Sequence, residues 1–137
     1  MLCIQFSRNV VLRLLPAFLV MLAIFLFSAR PADPEPLSLL ERILYKAGHV
    51  LGYAMLSLSY WRAMNFDDRF RPLAWILALM YAVSDEYHQS FVPGRHPTAF
   101  DVLVYDNFGS FAALWLVHRL EKQKQPDPQG LVVKRDS

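Results

Sequence analysis

Cysteine is almost missing: a single Cys3 in 137 residues leaves nothing to cross-link, which excludes a disulfide-stapled scaffold and says nothing about redox compartment. Five glycines and nine prolines are too few for a collagen-like or low-complexity chain. Charge is scarce too, at 19% of residues with a net of +2. A nucleic-acid binder gathers its Lys and Arg on one face, whereas here they are spread between apolar blocks, so nucleic acid is set aside as a partner. No His-x-x-x-His or Cys pair fixes a metal geometry, and no cofactor is expected. What fills the chain instead is apolar: 55% of its residues are hydrophobic and its mean hydropathy is positive, a balance seldom found in a soluble domain.

The apolar residues fall into four blocks. Residues 10–29 are interrupted only by Arg13, Pro16 and Ser28, and twenty helical residues span about 30 Å, the thickness of a bilayer core. The run is followed by Phe27-Ser28-Ala29-Arg30-Pro31, a poor match to the small-residue site that signal peptidase needs, so an uncleaved helix is expected. Pro31, Pro34 and Pro36 end it, and Ser38 with Glu41 forms a capping-box pattern that opens the next helix. Residues 43–61 are apolar but carry Lys46, His49 and Tyr53. Residues 73–83 are cleanly apolar before Ser84-Asp85-Glu86-Tyr87-His88-Gln89 interrupts them. Residues 100–117 contain Asp101, Asp106 and Asn107. The last three blocks can be read as a small soluble domain tethered by the first.

Loop charge argues for four crossings instead. The N-terminal end, the 62–71 connection and the C-terminal tail then share one side and carry Arg8, Arg13, Arg62, Arg69, Arg71, Arg119, Lys122, Lys124, Lys134 and Arg135. The other side has Arg30, Arg42, Lys46 and Arg95, so ten cations face four. This is the positive-inside asymmetry of multi-pass proteins and puts both termini in the cytoplasm. The sequence thus predicts an all-α, four-helix transmembrane bundle in the cell membrane. A short cytoplasmic N-terminus (1–9) precedes a membrane domain (10–118) with helices near 10–29, 40–63, 72–91 and 98–118. A disordered cytoplasmic tail (119–137) follows.

On that topology the polar residues share one depth, the outer half of the bundle. Lys46, His49 and Tyr53 lie on one helix face, as do Tyr81, Asp85 and Gln89. Ionisable groups at membrane depth are tolerated when they face a bundle interior or a wet cavity, where Lys46 can pair with Asp85, Glu86 or Asp101. His49, Asp85 and Arg95 are therefore expected in one cavity, at the end of the bundle opposite both termini.

Lys46-x-x-His49-x-x-x-Tyr53, then Ser84-Asp85-Glu86-x-x-Gln89-x-Phe91-x-Pro93-Gly94-Arg95, then Asp101 and a helix opening toward Gly109, resemble the VanZ-like family of small integral membrane proteins. Ser28-Ala29-Arg30-Pro31 resembles the Ser-x-x-Pro stretch that closes that family's first helix. The match covers residues 10–117. It implies a four-helix membrane bundle of the cell envelope and a link to teicoplanin resistance, without supplying a reaction. The family places an Asn or Asp four residues after the Asp that opens the last helix, but here that position is Tyr105 and the acid is Asp106. Two arrangements turn Asp106 to the pocket: a π-bulge between Asp101 and Gly109, which is the expectation, or a helix that starts only after Asp101.

Each residue also has a plainer role. Lys46 can snorkel its ammonium to the interface, and His49 can be an interhelical hydrogen-bond partner. Gly48 and Gly52 form a small-xxx-small pair for close helix packing. Asp85 is expected to face the pocket and Glu86 a neighbouring helix or the rim, with His88 and His96 near the outer surface and solvent-exposed. Pro93-Gly94 signals a type II turn that aims Arg95 back over the helix ends, to clamp an anion or to pair with Asp85 or Asp101.

Three function classes follow. The first is a pocket of Lys46, His49, Tyr53, Asp85, Gln89, Arg95, Asp101 and Asp106 that binds membrane lipid headgroups, a lipid-linked cell-wall intermediate or a glycopeptide. The second is an enzyme using His49, Asp85 and Glu86 as general acid and base on a lipid-linked substrate. The third, a metal site among His49, Asp85, Glu86, His88 and Asp101, lacks a spacing that sets geometry.

Overall fold

The computed structural model describes residues 8–31, 38–95, 100 and 102–124. Asp101, His96 and residues 125–137 of the tail lie outside the described residues. The described residues form four α-helices and no strand: α1 (Arg8–Ser28), α2 (Leu39–Ala63), α3 (Arg71–Gln89) and α4 (Asn107–Lys124). A short 3₁₀ turn, Asp68–Phe70, leads into α3, and one π-helical turn, Val102–Asp106, leads into α4. The all-α expectation is met.

Local chemistry sets the helix ends. At the start of α2 the Ser38 hydroxyl accepts from the Glu41 N–H at 3.3 Å while the Ser38 N–H donates to the Glu41 carboxylate at 2.8 Å, the reciprocal capping box read from the sequence. The far end of α2 has no glycine, yet Asn65 and Phe66 adopt positive φ of 59° and 56°. Their N–H groups return to Arg62 O and Trp61 O at 3.0 Å, the paired bonds of a Schellman cap. Phe66 meets Trp61 edge to face at 5.2 Å, and the Trp61 indole donates to Asp67 O at 3.0 Å, so the cap is closed by aromatic burial. Pro72 starts α3, where its missing N–H costs nothing.

α4 continues to Lys124, which corrects the expectation that disorder begins at residue 119. Arg119, Leu120, Lys122, Gln123 and Lys124 are all good helix formers, and the first breaker after them is Pro126.

Helices consecutive in the chain run antiparallel, so α1 lies parallel to α3 and α2 parallel to α4. The C-terminal ends of α1 and α3 meet where Ser28 touches Asp85 and Gln89, and α4 returns so that His118 reaches Asp68 at 2.8 Å. α2 is the central helix. Tyr53 and Leu56 pack with Ala17 of α1 and with Ala78 and Ala82 of α3, while Trp61 packs with Ala74 and Leu114. The alanines recur at i, i+4, i+8 along α3, and so small a stripe lets the backbones approach closely.

The tightest approach is between α2 and α4. A Cβ added to Gly109 would lie 2.3 Å from Val50 O, and Ser110 Oγ donates to Tyr53 O at 3.2 Å. The Gly48/Gly52 pair divides: Gly52 faces Ile24 at 3.3 Å, whereas nothing lies within 4 Å of a Cβ on Gly48. Only half of the expected small-xxx-small contact exists.

The core mixes polar with apolar residues, and the surface is rich in large apolar side chains. Ser28, Ser57, Asp85, Gln89, Asp106 and Ser110 are buried. Large apolar side chains face outward from every helix, as in Phe18 (61% exposed), Leu51 (63%), Met80 (65%) and Phe111 (61%). By length and composition, one described helix is long and apolar enough to cross a membrane, at Val11–Ser28.

The glycine contacts lead to a paired expectation. Gly109→Ala overpacks against backbone that cannot rotate away and should cost about 1–3 kcal/mol. Gly48→Ala meets open space and should leave stability unchanged or slightly raised. Thermal unfolding of the two variants in detergent checks this, and equal midpoints would mean that α2 and α4 are not in contact at Val50.

Candidate functional site

The side chains expected to form a pocket gather at the end of the bundle opposite Arg69 and Arg71, but in two layers rather than one. The inner layer is built on Asp85, which is buried on α3. Its Oδ2 accepts from Ser28 Oγ at 2.7 Å, Gln89 Nε2 at 2.9 Å and Tyr53 OH at 3.3 Å. Gln89 Nε2 also donates to Ser28 Oγ at 3.2 Å. Three helices thus send neutral donors to one carboxylate oxygen, while Oδ1 is buried without a hydrogen-bond partner among the described residues. Asp85 and Gln89 share a face of α3 because they are four residues apart. Ser28 reaches them as the last residue of α1, and Tyr53 lies one turn below His49 on α2.

This corrects the expectation that Asp85 lines the pocket, or that Lys46 or Arg95 compensates it. Tyr81, expected beside Asp85, instead donates to Met21 O at 2.7 Å, because the face it shares with Asp85 packs against α1.

The outer layer is a cavity of about 40 Å³ lined by Tyr45, Lys46, His49, Glu86, Gln89, Tyr105 and Asp106. At roughly 10–15 Å³ per water this holds a few waters. His49 Nδ1 lies 3.4 Å from Asp106 Oδ1, an electrostatic contact longer than a well-formed hydrogen bond, with His49 17% and Asp106 2% exposed. Lys46 Nζ sits 4.0 Å over the Tyr105 ring. Glu86 opens on this cavity, while Asp85, expected to face it, lies behind. Adjacent helical positions diverge by about 100°, and burial against α1 takes Asp85.

The π-turn is the device that puts Asp106 there. One residue more than an α-turn is absorbed at Val102–Asp106, so Asp106 faces His49 rather than lipid, and Tyr105 comes beneath Lys46. This is the bulge expected from the spacing of Tyr105, Asp106 and Gly109.

Arg95 has a different task. Val92 to Arg95 form a turn closed by the Arg95 N–H on Val92 O at 3.2 Å, with Gly94 at φ 75°, as a type II turn requires. The guanidinium donates to Phe27 O and Arg30 O, both at 3.1 Å, and to the Tyr45 hydroxyl. Arg95 caps the carbonyl end of α1 from outside, a favourable position for a cation at a helix C-terminus. It pairs with these carbonyls rather than with Asp85, and Tyr45 rather than Arg95 is the cavity wall.

His88 is half-buried and stacks on Phe25 at 4.5 Å, correcting its expected exposure. Among the described residues no three His, Cys, Asp or Glu side chains are grouped to hold a metal ion. Ser28, Tyr45 and Tyr105 are the participants that the sequence reading left out of the pocket. The signal for Ser28 was present: it is the one polar residue closing an otherwise apolar stretch.

The layers should respond differently to substitution. Ser28→Ala removes a donor from a buried carboxylate and should cost about 1–3 kcal/mol, whereas Lys46→Gln at the cavity edge should leave stability nearly unchanged. Unfolding midpoints in detergent measure both. A larger loss for Lys46→Gln than for Ser28→Ala would contradict the two-layer arrangement.

No family model, curated protein or solved structure matches this chain.

Proposed function

We propose that the chain is a VanZ-like, multi-pass protein of the cell membrane, with both termini cytoplasmic and a pocket at the outer face. In this reading the pocket takes the anionic headgroup of a lipid or a lipid-linked cell-wall intermediate. The supporting observation is the distribution of residues: large apolar side chains point outward from all four helices, and the buried carboxyl groups, Asp85 and Asp106, lie inside the bundle at one end. Helices α2 to α4 are less apolar along their length than α1 because their polar residues are turned inward, where a bundle tolerates them. The ten-to-four bias of Lys and Arg supports the orientation.

With Arg95 engaged by α1 carbonyls, the Lys46 ammonium and the His49 imidazole are the groups that meet the headgroup. The cavity is smaller than a headgroup, so entry requires Lys46 to leave the face of Tyr105 and turn to the incoming phosphate or carboxylate. Asp106 keeps the imidazole oriented beneath it. The family link makes teicoplanin tolerance the cellular readout.

The His49–Asp106 contact favours a second reading, general acid/base chemistry on a lipid-linked substrate. A carboxylate that orients one imidazole nitrogen prepares the other to move a proton.

Native mass spectrometry of gently purified protein tests the binding reading. A co-purifying anionic lipid or undecaprenyl-linked species is expected, and Lys46→Gln and His49→Ala should reduce its occupancy about tenfold or more, the loss of one charge-assisted hydrogen bond. Unchanged occupancy in both variants would overturn it. Turnover of a lipid-linked substrate that Asp106→Asn abolishes while binding persists would establish the enzyme reading instead.

A further inference from the structure

At the other end of the bundle, two adjoining hollows lie between α3 and α4 and share Arg71 and Trp115. One, of about 230 Å³, is walled by Trp75, Phe111 and Leu114. The other, of about 520 Å³, opens among His118, Arg119 and Lys122. Along one face α4 therefore changes from apolar to basic between Phe111 and Lys122, a rise of roughly 16 Å at 1.5 Å per residue. Arg119 lies over the Trp115 ring at 5.0 Å, which fixes a cation at the boundary. Arg71 Nη1 is buried and makes no hydrogen bond among the described residues; Asp68 Oδ1 lies 3.6 Å away. Asp68 also takes His118 at 2.8 Å, and its side chain is 54% exposed at the rim.

We infer that this groove seats one anionic phospholipid of the inner leaflet. The phosphate lies among Arg71, Arg119 and Lys122, and the first methylenes of a chain run along Trp75 and Trp115. Charge complementarity selects the occupant: three cations face one exposed carboxylate at the rim, and the hollow that continues from them is apolar, so an anion with a hydrocarbon tail satisfies both parts. A basic pocket between helices on the cytoplasmic side has the chemistry that recognises acidic headgroups. The inference rests on the membrane reading above, and concerns a site distinct from the outer pocket.

The test uses the full chain in detergent with the outer pocket weakened by Lys46→Gln and His49→Ala, titrated in native mass spectrometry with phosphatidylglycerol, with phosphatidylcholine of the same chains, and with glycerol phosphate. Phosphatidylglycerol should be retained about tenfold better than phosphatidylcholine. The double variant Arg119→Gln/Lys122→Gln changes two exposed side chains and should abolish that preference. Trp115→Ala should weaken both lipids while leaving a residual preference. Equal retention of the two lipids, or persistence of the preference once Arg119→Gln/Lys122→Gln is added, would each overturn the inference. So would glycerol phosphate binding as well as the lipid, since that marks an anion site without a tail. Alkaline washing of membranes reads insertion separately: release of the protein would sink the membrane reading itself, whatever the titration gives.

Discussion

The fold is organised by the cost of burying a carboxyl group. Asp85 is buried, and a polar group removed from water must find partners or destabilise the structure that holds it. Its Oδ2 takes donors from the last residue of α1, the middle of α2 and the next turn of α3, so the height and rotation of three helices are fixed at one point. Arg95 reinforces the same corner from outside by closing the carbonyl end of α1. Away from that corner the helices are held by close approach: alanines along α3, and Gly109 against Val50 O. The cavity that carries the chemistry stands on this frame as a thin layer above it.

Some of this was legible in the residues and some was not, and the dividing line is the range of the interaction. The capping box of Ser38 and Glu41, the type II turn at Pro93-Gly94 and the extra residue before Gly109 are local, fixed by sterics and hydrogen bonds within a few residues. The structure has all three. The shared depth of Lys46, His49, Glu86, Gln89 and Asp106 was legible too, because helical spacing plus alternating direction sets height along the bundle.

Height does not fix facing. Whether Asp85 or Glu86 meets the cavity depends on which side of α3 receives α1, and that contact is made by residues some sixty positions apart, Ser28 and Gln89. The target of Arg95 was hidden for the same reason, since a guanidinium after a turn has several acceptors within reach and only the packed structure offers the α1 carbonyls. The extent of α4 is a different case. High charge at residues 119–124 suggested a solvated coil, but charged residues of good helical propensity prolong a helix that already has a nucleus.

The π-turn separates two demands that an unbroken helix would couple. In a regular α-helix the position of Gly109 against Val50 would dictate, at about 100° per residue, the direction of every side chain upstream. The added residue cuts that link. After Asp106 the chain obeys steric packing and admits almost no change in side-chain size at Gly109; within the turn, Tyr105 and Asp106 answer instead to Lys46 and His49 of α2. Side chains at the mouth can therefore be exchanged among related sequences, in identity and even in number, without disturbing the seam beneath them. Variation is expected to collect on the upper side of this turn, while the lower side stays fixed.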